Sequence, residues 1–250
     1  MFFQQHQVKA VSCLVQSLIP AGAAACQLLN SLGSQQSPNA EDIAQLAWIC
    51  RDLEVGSSAS LWLVPQASQL LLSGDPRWPK VLPLLTSRDP IAYRHAIQIL
   101  IPEMLRGQST REELSQVLEA LSMAKEQDLQ LIYRVASKCV AFAEDVDLPT
   151  SVKLASWLAH LGVRKEILMN KLARNLVKHE RQFTRDIIEA VVDSWTTLQV
   201  SNKDLAEAVR RWLASSDLEA SHIEELDAQV KVLETRRPEA TPWLRKDRKS

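Results

Sequence analysis

The sequence predicts an all-α protein, and within that class an α-solenoid of about six helix-turn-helix repeats of roughly 36 residues. Three observations predict it. Leu (36) and Ala (27) together fill a quarter of the 250 positions, and both are strong helix formers. Gly occurs only 6 times, with no G-x-G pair, whereas sandwiches and α/β folds draw on Gly for tight turns and phosphate loops. Helix ends recur at Leu18, Leu53, Leu85, Leu121, Leu161, Leu198 and Leu233, a mean step of about 36. One hairpin of that size cannot bury its own apolar face, so such units stack. A globular helical bundle with coincidental spacing is the competing architecture.

Residues 1–36 are expected to form an N-terminal helical hairpin. No charged side chain lies between Lys9 and Glu41, and Pro20 separates Gln7–Ile19 from Ala21–Leu32. A membrane span would need about 20 mostly apolar residues. Here Ser12, Gln16, Ser17, Pro20, Gln27, Asn30 and Ser31 interrupt the run. MFFQQHQ lacks the basic start of a secretory signal. The absence of acid fits an organellar targeting segment and the absence of Arg does not.

Residues 37–235 are expected to hold the repeat array. Asp89-Pro90 reads as an N-cap with Pro at the first helical position. Thr110 with Glu113, and Ser221 with Glu224, have capping-box spacing. Thr184 and Ser201 precede acidic first turns through Asp186 and Asp204. Leu154, Trp157, Leu158 and Leu161 share one helical face, and Leu168, Leu172 and Leu176 another. No stretch alternates as a strand would. Gly33–Asn39 and Gly74–Pro79 are the expected bends. Residues 236–250 form a basic tail, with Pro238 and Pro242 ending the helical pattern.

The segment from Ser151 to Glu180 carries a recognisable pattern. Leu154-Ala-Ser-Trp-Leu-Ala159 is followed by a Leu161-Gly-Val163 turn, the charged stretch Arg164-Lys165-Glu166 and a Leu-rich second helix, Ile167–Lys178. This resembles the heptatricopeptide and octotricopeptide repeats of organellar proteins, the FAST-kinase-like class. Asp186–Leu213 repeats the scheme more loosely, with Leu198-Gln-Val200 at the turn, and 42–72 and 112–142 match in outline. Pentatricopeptide and tetratricopeptide signatures do not recur. The resemblance implies an organellar protein that binds RNA or builds an RNA-containing complex such as a mitochondrial ribosome. It implies a mitochondrial location, the alternative being cytoplasmic.

The chemistry of catalysis is not legible in the chain. Gly at 22, 33, 56, 74, 107 and 162 permits neither a Walker A loop nor G-x-S-x-G. No two of His6, His95, His160, His179 and His222 are four apart on a helix, so H-E-x-x-H is excluded. Cys13, Cys26, Cys50 and Cys139 form no C-x-x-C pair and read as small hydrophobes in a reducing compartment. Glu112/Glu113, Asp145/Asp147 and Glu224/Glu225 sit at helix starts or in loops, where they complement the dipole. The expectation is no enzyme, no cofactor, no metal and no small-molecule substrate.

Net charge is −1, so no global field draws the chain to nucleic acid. Local charge is uneven. Residues 164–185 hold seven cations against Glu166 and Glu180. Arg164, Lys171 and Lys178 are seven apart, as are Arg174 and Arg181. Seven residues approach two helical turns, so the spacing places each set on a stripe roughly opposite Leu168, Leu172 and Leu176. These residues with Arg185 are the candidate RNA-binding set, the alternative being a solvated helix face. In the tail, Arg237, Trp243, Arg245 and Lys246 are the candidate partner-binding set. Glu112–Asp147 is acidic, with eight acids against three cations.

Two functions follow. The first is a non-catalytic architectural protein contacting RNA (rRNA is the expected species) and protein neighbours in a mitochondrial ribosome. The second is a protein–protein scaffold or accessory subunit of a respiratory-chain complex. A freestanding sequence-specific RNA binder would need more repeats and a more basic total.

Overall fold

The structure, a computed structural model, describes residues 40–52, 63–216 and 219–234. The expected N-terminal hairpin and the basic tail, with Arg237, Trp243, Arg245 and Lys246, lie outside them. The described residues are helical, without a strand among them, and no helix of theirs is long and apolar enough to cross a membrane. The chain divides into two compact units at Cys139/Val140.

In the first unit α1 is Ala40–Asp52, α2 Leu63–Leu72 and α3 Trp78–Leu85. Asp89 caps α4, Pro90–His95, accepting from the Ile91 and Ala92 amides at 3.1 and 3.0 Å. The Ser68 hydroxyl of α2 donates to the same carboxylate at 2.5 Å. These bonds hold the Asp89 carboxyl below its ordinary range, the Ala92 amide contributing most. A π-helical segment, Ala96–Leu100, leads into α5, Ile101–Arg106. The widened turn lies just before Pro102, whose ring would crowd the Gln98 carbonyl in an ordinary α turn. Thr110 and Glu113 form the reciprocal capping box that opens α6, Arg111–Met123. The last helix of the unit is α7, Leu129–Cys139. First helices pack on first helices, α1 on α3 and α3 on α6, while α7 packs on α6 and α5.

The second unit holds α8 (Leu148–His160), α9 (Glu166–Lys178), a 3₁₀ turn (Glu180–Gln182), α10 (Arg185–Leu198), α11 (Lys203–Ser215) and α12 (Ala220–Glu234). Here α8, α10 and α12 pack in sequence as one layer, and α9 and α11 pack as a second. The two hairpins correspond residue by residue at a step of 37. N-caps Asp147 and Thr184 open their first helices, and Lys165 and Asn202 precede their second. Buried Leu154, Leu158, Val163, Leu168, Leu172 and Leu176 match buried Val191, Trp195, Val200, Leu205, Val209 and Leu213. Gly162 (φ 64°) and Gln199 (φ 52°) both turn through the left-handed region. The same step back reaches Thr110 at the cap of α6 and Lys125 (φ 52°) at its turn.

Several expectations shift in register. Leu121 is the counterpart of Leu158, not of Leu161, which explains the anomalous step of 40 in the leucine landmarks. Ser221 lies inside α12 and caps nothing, because the helix begins at Ala220. Asn202 rather than Ser201 caps α11, its side chain accepting from the Leu205 amide at 3.0 Å. The first helix of the recognised segment begins at Leu148, six residues before Leu154.

Candidate nucleic-acid interface

The predicted basic set is not one helix face. Arg164 precedes α9, Arg181 lies in the 3₁₀ turn and Arg185 opens α10, so only Lys171, Arg174 and Lys178 belong to α9. The seven-residue spacing from 164 to 185 therefore runs through two breaks, after which helical phase has no meaning.

The structure also differs in what these cations touch. Arg164 pairs with Glu166 at 2.5 Å, and Arg185 with Glu189 one turn on at 2.7 Å. Lys171, half-buried, donates from Nζ to the Val140 carbonyl at 3.1 Å. It lies at the flank of the apolar face rather than opposite it. Arg174 is 67% exposed and its Nη1 meets Glu144 at 3.2 Å. Lys178 and Arg181 are exposed and, among the described residues, no carboxylate lies within ion-pair distance of either. Three exposed cations of the set thus fall at the C-terminal end of α9, Arg174 and Lys178 one turn apart and Arg181 in the turn that follows.

A residue that charge counting missed joins this cluster. Arg211 of α11 donates from Nη2 to Glu180 at 2.6 Å while its side chain stays 56% exposed. Its guanidinium is held further above its ordinary range by that hydrogen bond. Arg174 and Arg211 occupy the ninth position of two 13-residue helices. The clue available in the sequence was the 37-residue step rather than the density of charge.

The residues next to them position the acids. Asn175, 2% exposed, donates from Nδ2 to the Val146 carbonyl and to the Ser151 hydroxyl, both at 2.7 Å. This pins the loop that carries Glu144. Trp212, its counterpart, donates from Nε1 to the Phe183 carbonyl at 3.1 Å and pins the turn that carries Glu180. Each buried carbonyl gains a partner that a loop could not otherwise supply.

Elsewhere the described residues assemble no catalytic constellation. No group of three metal-ligating side chains converges among them. The buried Cys139 thiol is pushed up to about 12 by burial and is no thiolate nucleophile at neutral pH. His222 Nε2 lies 3.0 Å from Glu189, which Arg185 already engages. A cavity of about 420 Å³ in the first unit is bordered by Ile43 and Leu70 and by the polar Gln66, Gln69, Ser73 and Asp75. Of its polar lining, the Ser73 hydroxyl donates to the Leu70 carbonyl at 2.8 Å and Asp75 is paired with Arg77 at 2.6 Å.

Comparison with protein-family models and with curated proteins gave no match for this chain.

Proposed function

We propose that this chain is a non-catalytic α-solenoid protein that contacts RNA and protein neighbours in an organellar ribonucleoprotein, a mitochondrial ribosome being the assembly its repeat pattern suggests. The observation that carries the RNA reading is the exposed cluster Arg174, Lys178 and Arg181 at one end of α9, two of whose cations lack a described acidic partner. Exposed cations on a stacked-helix layer fit a phosphate backbone, which is recognised by charge and needs no deep pocket. The solenoid reading is supported by the layered packing within each unit and by the 37-residue step. The second reading is a protein–protein scaffold in a respiratory-chain assembly. It is favoured by Arg164, Arg185 and Arg211 being engaged by acids of the chain itself.

The deciding experiment is native co-purification with and without ribonuclease, together with the double reversal Lys178→Glu/Arg181→Glu. Association lost on ribonuclease treatment, and weakened by the double reversal, supports the RNA reading. Ribonuclease-resistant association that survives the reversal supports the scaffold. Lys171 is left out of this test, since its bond to the Val140 carbonyl would make a reversal a stability experiment.

A further inference from the structure

We propose that Arg174 and Arg211 form a two-rung guanidinium ladder for the RNA backbone, and that Glu144 and Glu180 are internal competitors which phosphate displaces. This rests on the RNA-contacting reading above and names the residues, the ligand group and the exchange.

Four observations carry it. The two arginines stand at the same position of consecutive second-layer helices, α9 and α11, which pack against each other. Packed helix axes lie about 8 to 10 Å apart, so the rungs sit on neighbouring tracks. Each fork faces a carboxylate that is itself fixed, Glu144 on the loop held by Asn175 and Glu180 on the turn held by Trp212. Each fork nonetheless stays more than half exposed, at 67% and 56%, so an incoming anion can approach without unfolding anything. Around them, Lys178 and Arg181 add charge with no described acid to absorb it.

The physical chemistry of the pair then decides the ligand class. An exposed Arg–carboxylate pair is weak, because water solvates both partners well and salt screens them. The guanidinium fork matches carboxylate and phosphate alike, so Glu is a fair stand-in for a phosphodiester. Phosphate has the advantage that a polymer releases counterions at each contact. The released Glu returns to water at little cost, being about one-third exposed already. A protein partner fits less well. A protein interface centres on buried apolar or aromatic anchors, and of the exposed large hydrophobics described only Ile167 shares a helix with either arginine, a lone side chain two turns before Arg174. Because the ladder reads phosphate, binding to it should be indifferent to base sequence.

The competitor idea makes an unusual demand, that removing two acids strengthens binding. The full-length chain is titrated against a fluorescent single-stranded oligouridylate at several salt concentrations. Arg174→Gln/Arg211→Gln should weaken binding and lower the slope of log K against log salt by about 1.4, two contacts at about 0.7 each. Glu144→Gln/Glu180→Gln should tighten binding by roughly three- to tenfold, as two weak pairs no longer compete. Misfolding cannot produce that gain. Glu224→Gln/Glu225→Gln removes the same charge from the other layer, at exposed acids with no ion pair among the described residues, and should give a smaller gain. An equal gain from that control would reduce the effect to net charge and overturn the ladder. So would unchanged or weaker binding by Glu144→Gln/Glu180→Gln while the wild-type chain binds. If the wild-type chain binds no RNA at all, the RNA reading itself falls. Loss of a protein neighbour on Arg174→Gln/Arg211→Gln would then assign the pair to a protein contact.

Discussion

At the scale of single residues, the contrast between Asp75 and Lys171 shows where sequence reasoning stops. A cation two residues from an acid can be read directly, and Arg77 does hold Asp75 from both side chain and backbone, at 2.8 and 2.9 Å. Those bonds, the side-chain one foremost, lower the Asp75 carboxyl from its ordinary value to about 2. The sign follows from linkage. A carboxyl depressed in the folded state stabilises the fold above its unfolded value of about 4, and the stabilisation is lost as pH falls toward 2. Asp75→Asn should therefore cost about 1 kcal/mol or less at pH 7, since the pair is near the surface, and nothing below about pH 2. Urea titrations of both proteins at pH 7, 4 and 2 check it. A difference unchanged across that range would rule the pairing out. Lys171 was not readable in this way. Its acceptor, the Val140 carbonyl, is 31 residues back, and no charge pattern announces a bond to a carbonyl.

At the scale of the element, most helices were legible because their caps are local. Asp89 with Pro90, Thr110 with Glu113, and Thr184 all cap as their side-chain chemistry suggests. Ser221 misled because capping-box spacing does not exclude a helix already begun one residue earlier. The 37-residue step between the two hairpins of the second unit lies close to the roughly 36 read from the leucines, but the register differs. Leucine is an ambiguous landmark, because it occupies both mid-helix core positions such as Leu158 and helix ends such as Leu198. The better landmark is backbone conformation. Lys125, Gly162 and Gln199 share positive φ at a step of 37, and only the middle one is a glycine. L-residues in that region are strained, by about 1 to 2 kcal/mol in the left-handed helical well. Gln199→Gly should raise stability by roughly 0.5 to 1 kcal/mol after the entropy Gly loses on folding. Gly162→Ala should lower it by a similar amount through backbone strain alone, since a methyl there meets no atom within 4 Å. Melting curves in which both variants shift in the same direction would show that the turns are not equivalent.

At the scale of the whole molecule, the all-helical class followed from composition, whereas the division at Cys139/Val140 had no composition signal. The loops at 124–128 and 140–147 are both short and hold neither Gly nor Pro, so nothing in Gly or Pro content marks one of them as a boundary. The basic cluster was legible as charge but not as geometry, because Glu144 lies 30 residues from Arg174 and Glu180 lies 31 from Arg211, so each pair meets only through tertiary packing. That layered packing bears on stability as well as binding. Leu158 is wholly buried in α8, which supports α9 and α10, and its counterpart Trp195 fills the same position of α10 with its Nε1 left without a partner. Leu158→Asp places a charge in this core and removes apolar burial, which together exceed the roughly 2 to 5 kcal/mol of a large-to-small core deletion. The second unit should lose amide protection through α8, α9 and α10, while α3 and α6, whose cores are their own, keep theirs. Hydrogen exchange read by mass spectrometry resolves the two. Uniform loss across both units would mean that they unfold as one cooperative body, and the Arg174–Arg211 pair would then depend on the integrity of the entire chain rather than on its own two hairpins.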